Sequence, residues 1–362
     1  MKKSLIALAV LAASGAAMAQ SSVTLFGIVD ANVGYVNHAG AGNGSAYGLG
    51  NSGNATSRLG LRGTEDLGGG LKANFWLEGA LLNDSGNSSG FDFKRQSTVG
   101  LSGGFGEVRL GRELTPTFRA INKYDVFGAA GVGRFMGFQA WENGAQADGN
   151  AVRANNMVTY VSPNFGGFNG SVAYSFDEKN SSIAGAPKAG RYAGGMVGYD
   201  NGPLSVTAAY GTLKSFTGSG ITAVGADRDT YSVGASYDFR VAKLTAMASQ
   251  TRYKPNVGSD SKFNSYLIGA SAPVGGVGEL KAQYALYDQK GFNTKAHQFS
   301  VGYVHNLSKR TALYSNVAYL KNNKHSTLGL DAAGAYSGAN SIGAVRAGED
   351  QVGVQVGIRH AF

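Results

Sequence analysis

The sequence predicts an all-β chain, a sixteen-stranded antiparallel transmembrane β-barrel. Three observations carry that expectation. Hydrophobicity alternates with a period of two along almost the whole chain, and helical spacing is nowhere sustained. The connections between alternating runs are by turns very short and long. The runs are mostly 10 to 14 residues, longer than ordinary strands and suited to a tilted bilayer crossing.

Residues 1–19 come first. Lys2 and Lys3 precede an apolar stretch from Leu5 to Ala13 and the small-residue ending Ala17-Met18-Ala19, which is the pattern of a secretory signal peptide. The barrel domain is then expected over 20–362. Sixteen alternating runs follow, near 23–37, 57–67, 71–84, 93–103, 106–115, 155–165, 168–178, 191–201, 203–214, 228–239, 242–254, 264–274, 278–290, 296–307, 311–322 and 349–362. From Phe168 to Phe176 the large apolar groups fall mainly on even positions, and Val352, Val354, Val356 and Ile358 repeat the pattern at the C-terminus. The short connections are glycine-rich, such as Gly68-Gly69-Gly70 and Gly166-Gly167. The long ones fall at about 38–56, 85–92, 116–154, 179–190, 215–227, 255–263, 291–295 and 323–348. An even strand number with short turns on one rim and longer loops on the other describes an up-and-down meander. In a soluble sandwich the apolar faces would meet in a core. Here an aromatic-rich face opposes one of Gly, Ser, Thr, Asn and Gln, as between lipid and a wet lumen, and closure satisfies every strand edge.

Composition narrows the function classes. The 362 residues include 56 Gly and no Cys, so a disulfide framework, a thiolate zinc site and a thiol nucleophile are excluded. Charged residues make up 15%, well below the usual quarter of a soluble protein. The net charge of +9 comes from scattered basic residues without a dense run, which points weakly to anions and not to a nucleic-acid surface. Gly48-Leu49-Gly50-Asn51-Ser52-Gly53 matches a dinucleotide fingerprint but lacks a βαβ setting, and reads as loop. Gly100-Leu101-Ser102-Gly103-Gly104 matches a nucleophile elbow without the strand-to-helix turn it needs. No histidine pair has helical metal spacing, and no metal or other cofactor is expected.

The chain resembles the general porins of the outer membrane, in particular the trimeric sixteen-stranded porins of β-proteobacteria. The resemblance covers the mature chain and is carried by Ser22-Val23-Thr24-Leu25-Phe26-Gly27, by the segment from Ser57 to Gly68, by Val108-Arg109-Leu110-Gly111-Arg112, by the segment from Tyr160 to Phe168 and by the terminal Phe362. It implies a passive channel for ions and small hydrophilic solutes in the outer membrane of a Gram-negative bacterium, a homotrimer, and Phe362 as the signal read by the barrel-assembly machinery. No catalysis is implied. The connection 116–154 lies where such proteins fold a third loop into the lumen, and its Phe118, Tyr124, Phe127, Phe135, Phe138 and Trp141 favour a packed loop.

By similarity to the family's constriction, Arg58, Arg95 and Arg153 form a basic cluster on the wall. Alternation supports Arg58, because Leu59 and Leu61 face lipid, and it places Glu78 inside as well. Between the adjacent Lys94 and Arg95 alternation does not choose, and Arg153 rests on the resemblance alone. Asp125 is the expected acidic partner across the opening, with Glu113 second. An excess of arginine there favours anions. A substrate-specific channel and a closed structural or adhesive barrel are the rival readings.

Overall fold

Alternation becomes pairing in the structure, a computed structural model that describes residues 22–39, 44–86, 92–137, 152–176, 190–216, 226–255, 258–330 and 345–362. Residues 1–19, where a signal peptide is expected, and Phe138 and Trp141 of the long loop lie outside the described residues. In chain order the strands are β1 (Ser22–Ala39), β2 (Gly44–Asn51), β3 (Arg58–Gly68), β4 (Leu71–Ala80), β5 (Gln96–Gly103) and β6 (Gly106–Leu114). A short helix α1 (Pro116–Asn122) follows. Then come β7 (Arg153–Val161), β8 (Phe168–Ser175), β9 (Tyr192–Asn201), β10 (Leu204–Phe216), β11 (Ala226–Asp238), β12 (Lys243–Pro255), β13 (Ser261–Val274), β14 (Gly278–Lys290), β15 (Thr294–Asn306), β16 (Thr311–Asn322) and β17 (Gln351–Ala361).

From β3 onwards each strand pairs antiparallel with the next. The ring closes where β17 meets β1, from Ile28↔Ala361 to Val36↔Gly353. On its other edge β1 pairs first with β3, from Ser22↔Thr64 to Ile28↔Arg58, and then with β2, from Ala31↔Asn51 to Ala39↔Gly44. Thus β2 and β3 are two halves of one barrel strand interrupted at 52–57, and the ring has sixteen strands.

One expectation is corrected here. The stretch 38–56 reads as a single polar loop because its small residues have little strand propensity, yet Gly44–Asn51 is strand. Pairing with β1 supplies what propensity does not, and Tyr47 and Leu49 point outward at 81% and 56% exposure. The dinucleotide-like glycines therefore lie largely on β2.

The two faces separate as the period demands. Val23, Leu25, Ile268 and Val301 are exposed outside, while Thr207, Ser232, Gln283 and Asn316 are buried on the inner side. The short-turn rim is made by glycines with positive φ, among them Gly69 at 61° and Gly276 at 75°, a region costly for residues with a Cβ. At the seam Phe362 pairs with Gly27 through two backbone bonds of 3.1 Å.

Candidate functional site

Arg58 opens β3 directly after the interruption and alternates with the outward Leu59 and Leu61. On the next strand, Glu78 of β4 is nearly buried and both of its oxygens are engaged. Arg95 Nε sits 2.6 Å from Oε1, and Trp76 Nε1 donates to Oε2 at 3.2 Å. The backbone N–H of Arg95 also donates to the Glu78 carbonyl at 3.1 Å. That double tether decides between the neighbouring cations: Arg95 turns to Glu78, while Lys94 is exposed and pairs with Asp92 at 2.5 Å. Arg153 joins the group by donating from Nε to the Arg95 carbonyl at 2.8 Å. Its guanidinium feels Arg95, Arg112 and Arg58 as repulsive charges and Glu78 as an attractive one. The structure thus brings Arg58, Arg95 and Arg153 together around one carboxylate.

The two other acids go elsewhere. Glu113 is 1% exposed, because α1 packs over it, and it lies 3.3 Å from Arg109 and 2.5 Å from Arg119. Asp125 is 8% exposed and accepts from the backbone N–H groups of Phe127 (3.0 Å), Ala129 (2.8 Å) and Phe135 (3.0 Å). Burial pushes its carboxyl up from the ordinary carboxylate value, and these donors pull it back. Neither acid is presented to the opening. An aspartate followed by Gly- and Ala-rich sequence is well suited to hold its own turn, and the aromatic loop covers it.

The loop is tied to inward side chains that sequence analysis did not single out. Thr115 caps α1 by accepting from Phe118 N, with Pro116 at the first position. Beyond it, Val126 N donates to Gln283 Oε1 (3.0 Å), Val132 N to Gln355 Oε1 (2.8 Å) and Met136 N to Tyr287 OH (3.0 Å). Gln298 Nε2 returns two bonds, to the carbonyls of Val132 (3.2 Å) and Arg134 (3.0 Å). Inward glycines on β11, β13, β15 and β17 make the room. A Cβ at Gly302 would stand 2.8 Å from the Phe127 ring, and Gly234, Gly269 and Gly353 similarly face Tyr124, Val126 and Val132. The warning in the sequence was an inward Gly or Gln on β11, β13, β14, β15 and β17.

Asp30 is the other residue missed. Its fully buried carboxylate accepts from the N–H groups of Gly53 (3.1 Å), Asn54 (2.9 Å) and Ala55 (2.7 Å), and from the Tyr314 hydroxyl. This folds the interruption 52–57 and sets where Arg58 begins β3. Asn316 Nδ2 holds the Gly53 carbonyl at 2.9 Å, and a Cβ at Gly131 would overlap that same carbonyl, so the loop meets the interruption.

Comparison with known proteins agrees with this architecture. The family model described as Gram-negative porin matches residues 5–325. The chain is 64% identical over 362 residues to outer membrane porin protein 32 of Delftia acidovorans, covering all of both chains. It is similar to the solved anion-selective porin from Comamonas acidovorans, with a TM-score of 0.87 and 60% identity over 95% of this chain and all of that one. A trimer form of OmpT from Vibrio cholerae, 17% identical with a TM-score of 0.67 over 94% of this chain and 99% of the other, shares the fold alone. A closed sixteen-stranded ring, a loop bound to its inner wall and a match along most of the sequence lead to one conclusion: this chain is a member of the Gram-negative porin family, whose place is the outer membrane.

Proposed function

We propose that the barrel conducts ions and small hydrophilic solutes passively through a water-filled lumen, with a preference for anions set by Arg58, Arg95 and Arg153. One observation carries this reading: three guanidiniums gather around Glu78, while Glu113 of β6 and Asp125 of the loop are buried and already engaged. The surplus positive potential lowers the barrier to an anion in a confined, partly desolvated passage. The name of the solved relative, an anion-selective porin, supports the same sign. No covalent step belongs to this function.

The assembly that fits is a homotrimer with one pore per subunit. The outward strand positions of β1, β2 and β17 from Val29 through Val356 carry apolar or small residues without charge, including Val33, Leu49 and Val354, and such a face suits subunit contact. Phe362, fixed at the seam, is the expected C-terminal assembly signal.

Swelling of liposomes containing the refolded protein tests the channel. Influx of small solutes should rise linearly with concentration and fall steeply with solute size. Saturating influx of one solute would support a substrate-specific channel instead, and no influx through a folded barrel would support a closed one.

A further inference from the structure

Two rings on the inner wall, those of Phe26 and Trp76, lie outside the loop's anchorage. Leu25 points outward on β1, and the same alternation turns Phe26 into the lumen; on β4 it turns Trp76 inward between Phe75 and Leu77. The two rings meet edge to face, 5.0 Å apart between centroids. Five other rings on inward strand positions, Tyr192, Tyr253, Phe263, Tyr287 and Tyr314, are at most 3% exposed, whereas Phe26 and Trp76 stay half-buried. Gln283, Gln298 and Gln355 fasten the loop to β14, β15 and β17, not to the strands that carry these two rings. Apolar surface kept open to a watery lumen marks a place that a ligand can cover.

A cation sits with them. Arg62 follows the outward Leu61 on β3 and stands directly opposite Trp76 on one side and Thr24 on the other. Its guanidinium carbon is 5.3 Å from the centroid of each ring, within cation–π reach. Unlike Arg95 and Arg109, it has no carboxylate partner among the described residues, and it is exposed. The rings are set in advance: Trp76 Nε1 donates to Glu78 at 3.2 Å, and Phe26 lies over Gly60, where a Cβ would overlap its ring. Arg58 and Arg62 are four residues apart on one strand, ~13 Å at about 3.3 Å per residue, too far for one small carboxylate to bridge. Arg62 thus belongs to a separate site, on the short-turn side of the arginine cluster.

The three side chains select a ligand by its shape. A guanidinium offers two parallel N–H groups that match a planar carboxylate. Ring faces and edges reward a flat π system, and they give nothing to a small hydrated ion that would lose water against them. We propose that Arg62, Trp76 and Phe26 form a second anion site in the lumen that takes aromatic carboxylates, with the carboxylate on Arg62 and the ring laid against Phe26 and Trp76. The site rests on the reading of the barrel as an open channel and adds a substrate class to it.

Trp76 supplies the readout. The chain has two tryptophans, and Trp141→Phe leaves Trp76 as the single reporter. The refolded protein in detergent is titrated with 4-nitrobenzoate, whose ring quenches indole fluorescence on contact, and with the neutral 4-nitrobenzyl alcohol. Quenching by the carboxylate should saturate, and quenching by the alcohol should rise without saturating. Arg62→Gln should weaken the carboxylate about tenfold or more, through loss of a charged hydrogen-bonding pair. Phe26→Leu should weaken it about threefold, through loss of one aromatic contact. Unsaturating quenching by both probes, or a folded Arg62→Gln variant with wild-type affinity, overturns the site. Single-channel conductance in KCl, recorded on the same protein, separates the two readings. Saturable quenching in a barrel that carries no current would support the site and contradict the channel, and current without saturable quenching would do the reverse.

Discussion

Asp30 and Arg58 show what a single residue's environment does and does not reveal to sequence analysis. Arg58 is legible because period two fixes its side of the wall from its neighbours Leu59 and Leu61, and Glu78 is legible in the same way. The partners of Asp30 are not, since Tyr314 lies 284 residues away and the three N–H donors belong to a stretch that breaks the period. Arg153 escapes for a similar reason. Its place depends on the Arg95 carbonyl, and thus on how a non-strand segment turns. Asp125 was chosen as a charge and acts as a backbone acceptor. Removing the Asp30 carboxylate with Asp30→Ala strands the buried N–H of Gly53, the half-buried N–H groups of Asn54 and Ala55 and the Tyr314 hydroxyl, at a cost of about 3 kcal/mol. Urea unfolding in detergent, followed by tryptophan fluorescence, should show a clearly lower midpoint. A midpoint within error of wild type would mean that the carboxylate does not hold the interruption.

Among elements, the strands were read nearly as they stand and the connections were not. Alternation survives in a strand because pairing and the two solvents act on every second residue, whereas a loop is shaped by whichever distant groups happen to receive it. Gln283, Gln298 and Gln355 receive this one, from β14, β15 and β17. The split of β2 from β3 was hidden for the opposite reason, because eight residues, five of them Gly, Ser or Ala, paired where propensity predicted a loop. Space on the wall is as important as bonds. A Gly302→Val change keeps a good strand residue in β15 but drives its Cβ against Phe127 and Asn316, so the barrel should fold while the loop shifts from the wall. Single-channel recording should show a conductance different from wild type, with added open-state noise. Unaltered, quiet conductance would show that the loop accommodates the methyl groups without moving.

For the whole molecule, the sixteen-stranded ring, its two faces and its two kinds of rim follow from one period and one alternation of turn lengths, which is why the fold was legible throughout the chain. The charge proposed to select ions in the lumen is a three-dimensional sum to which β3, the segment before β5 and the start of β7 each add a residue. The central claim is that this sum is positive and selects anions. The most direct measurement is the reversal potential of single channels under a KCl gradient in planar bilayers, with Arg58→Ser, Arg95→Ser and Arg153→Ser compared one at a time. Wild type should give a potential of anionic sign, and each replacement should reduce the chloride preference by about two- to fivefold, the size expected for one charge a few ångströms from a permeating ion in wet surroundings. A cationic potential in wild type, or three variants with unchanged selectivity, would contradict it.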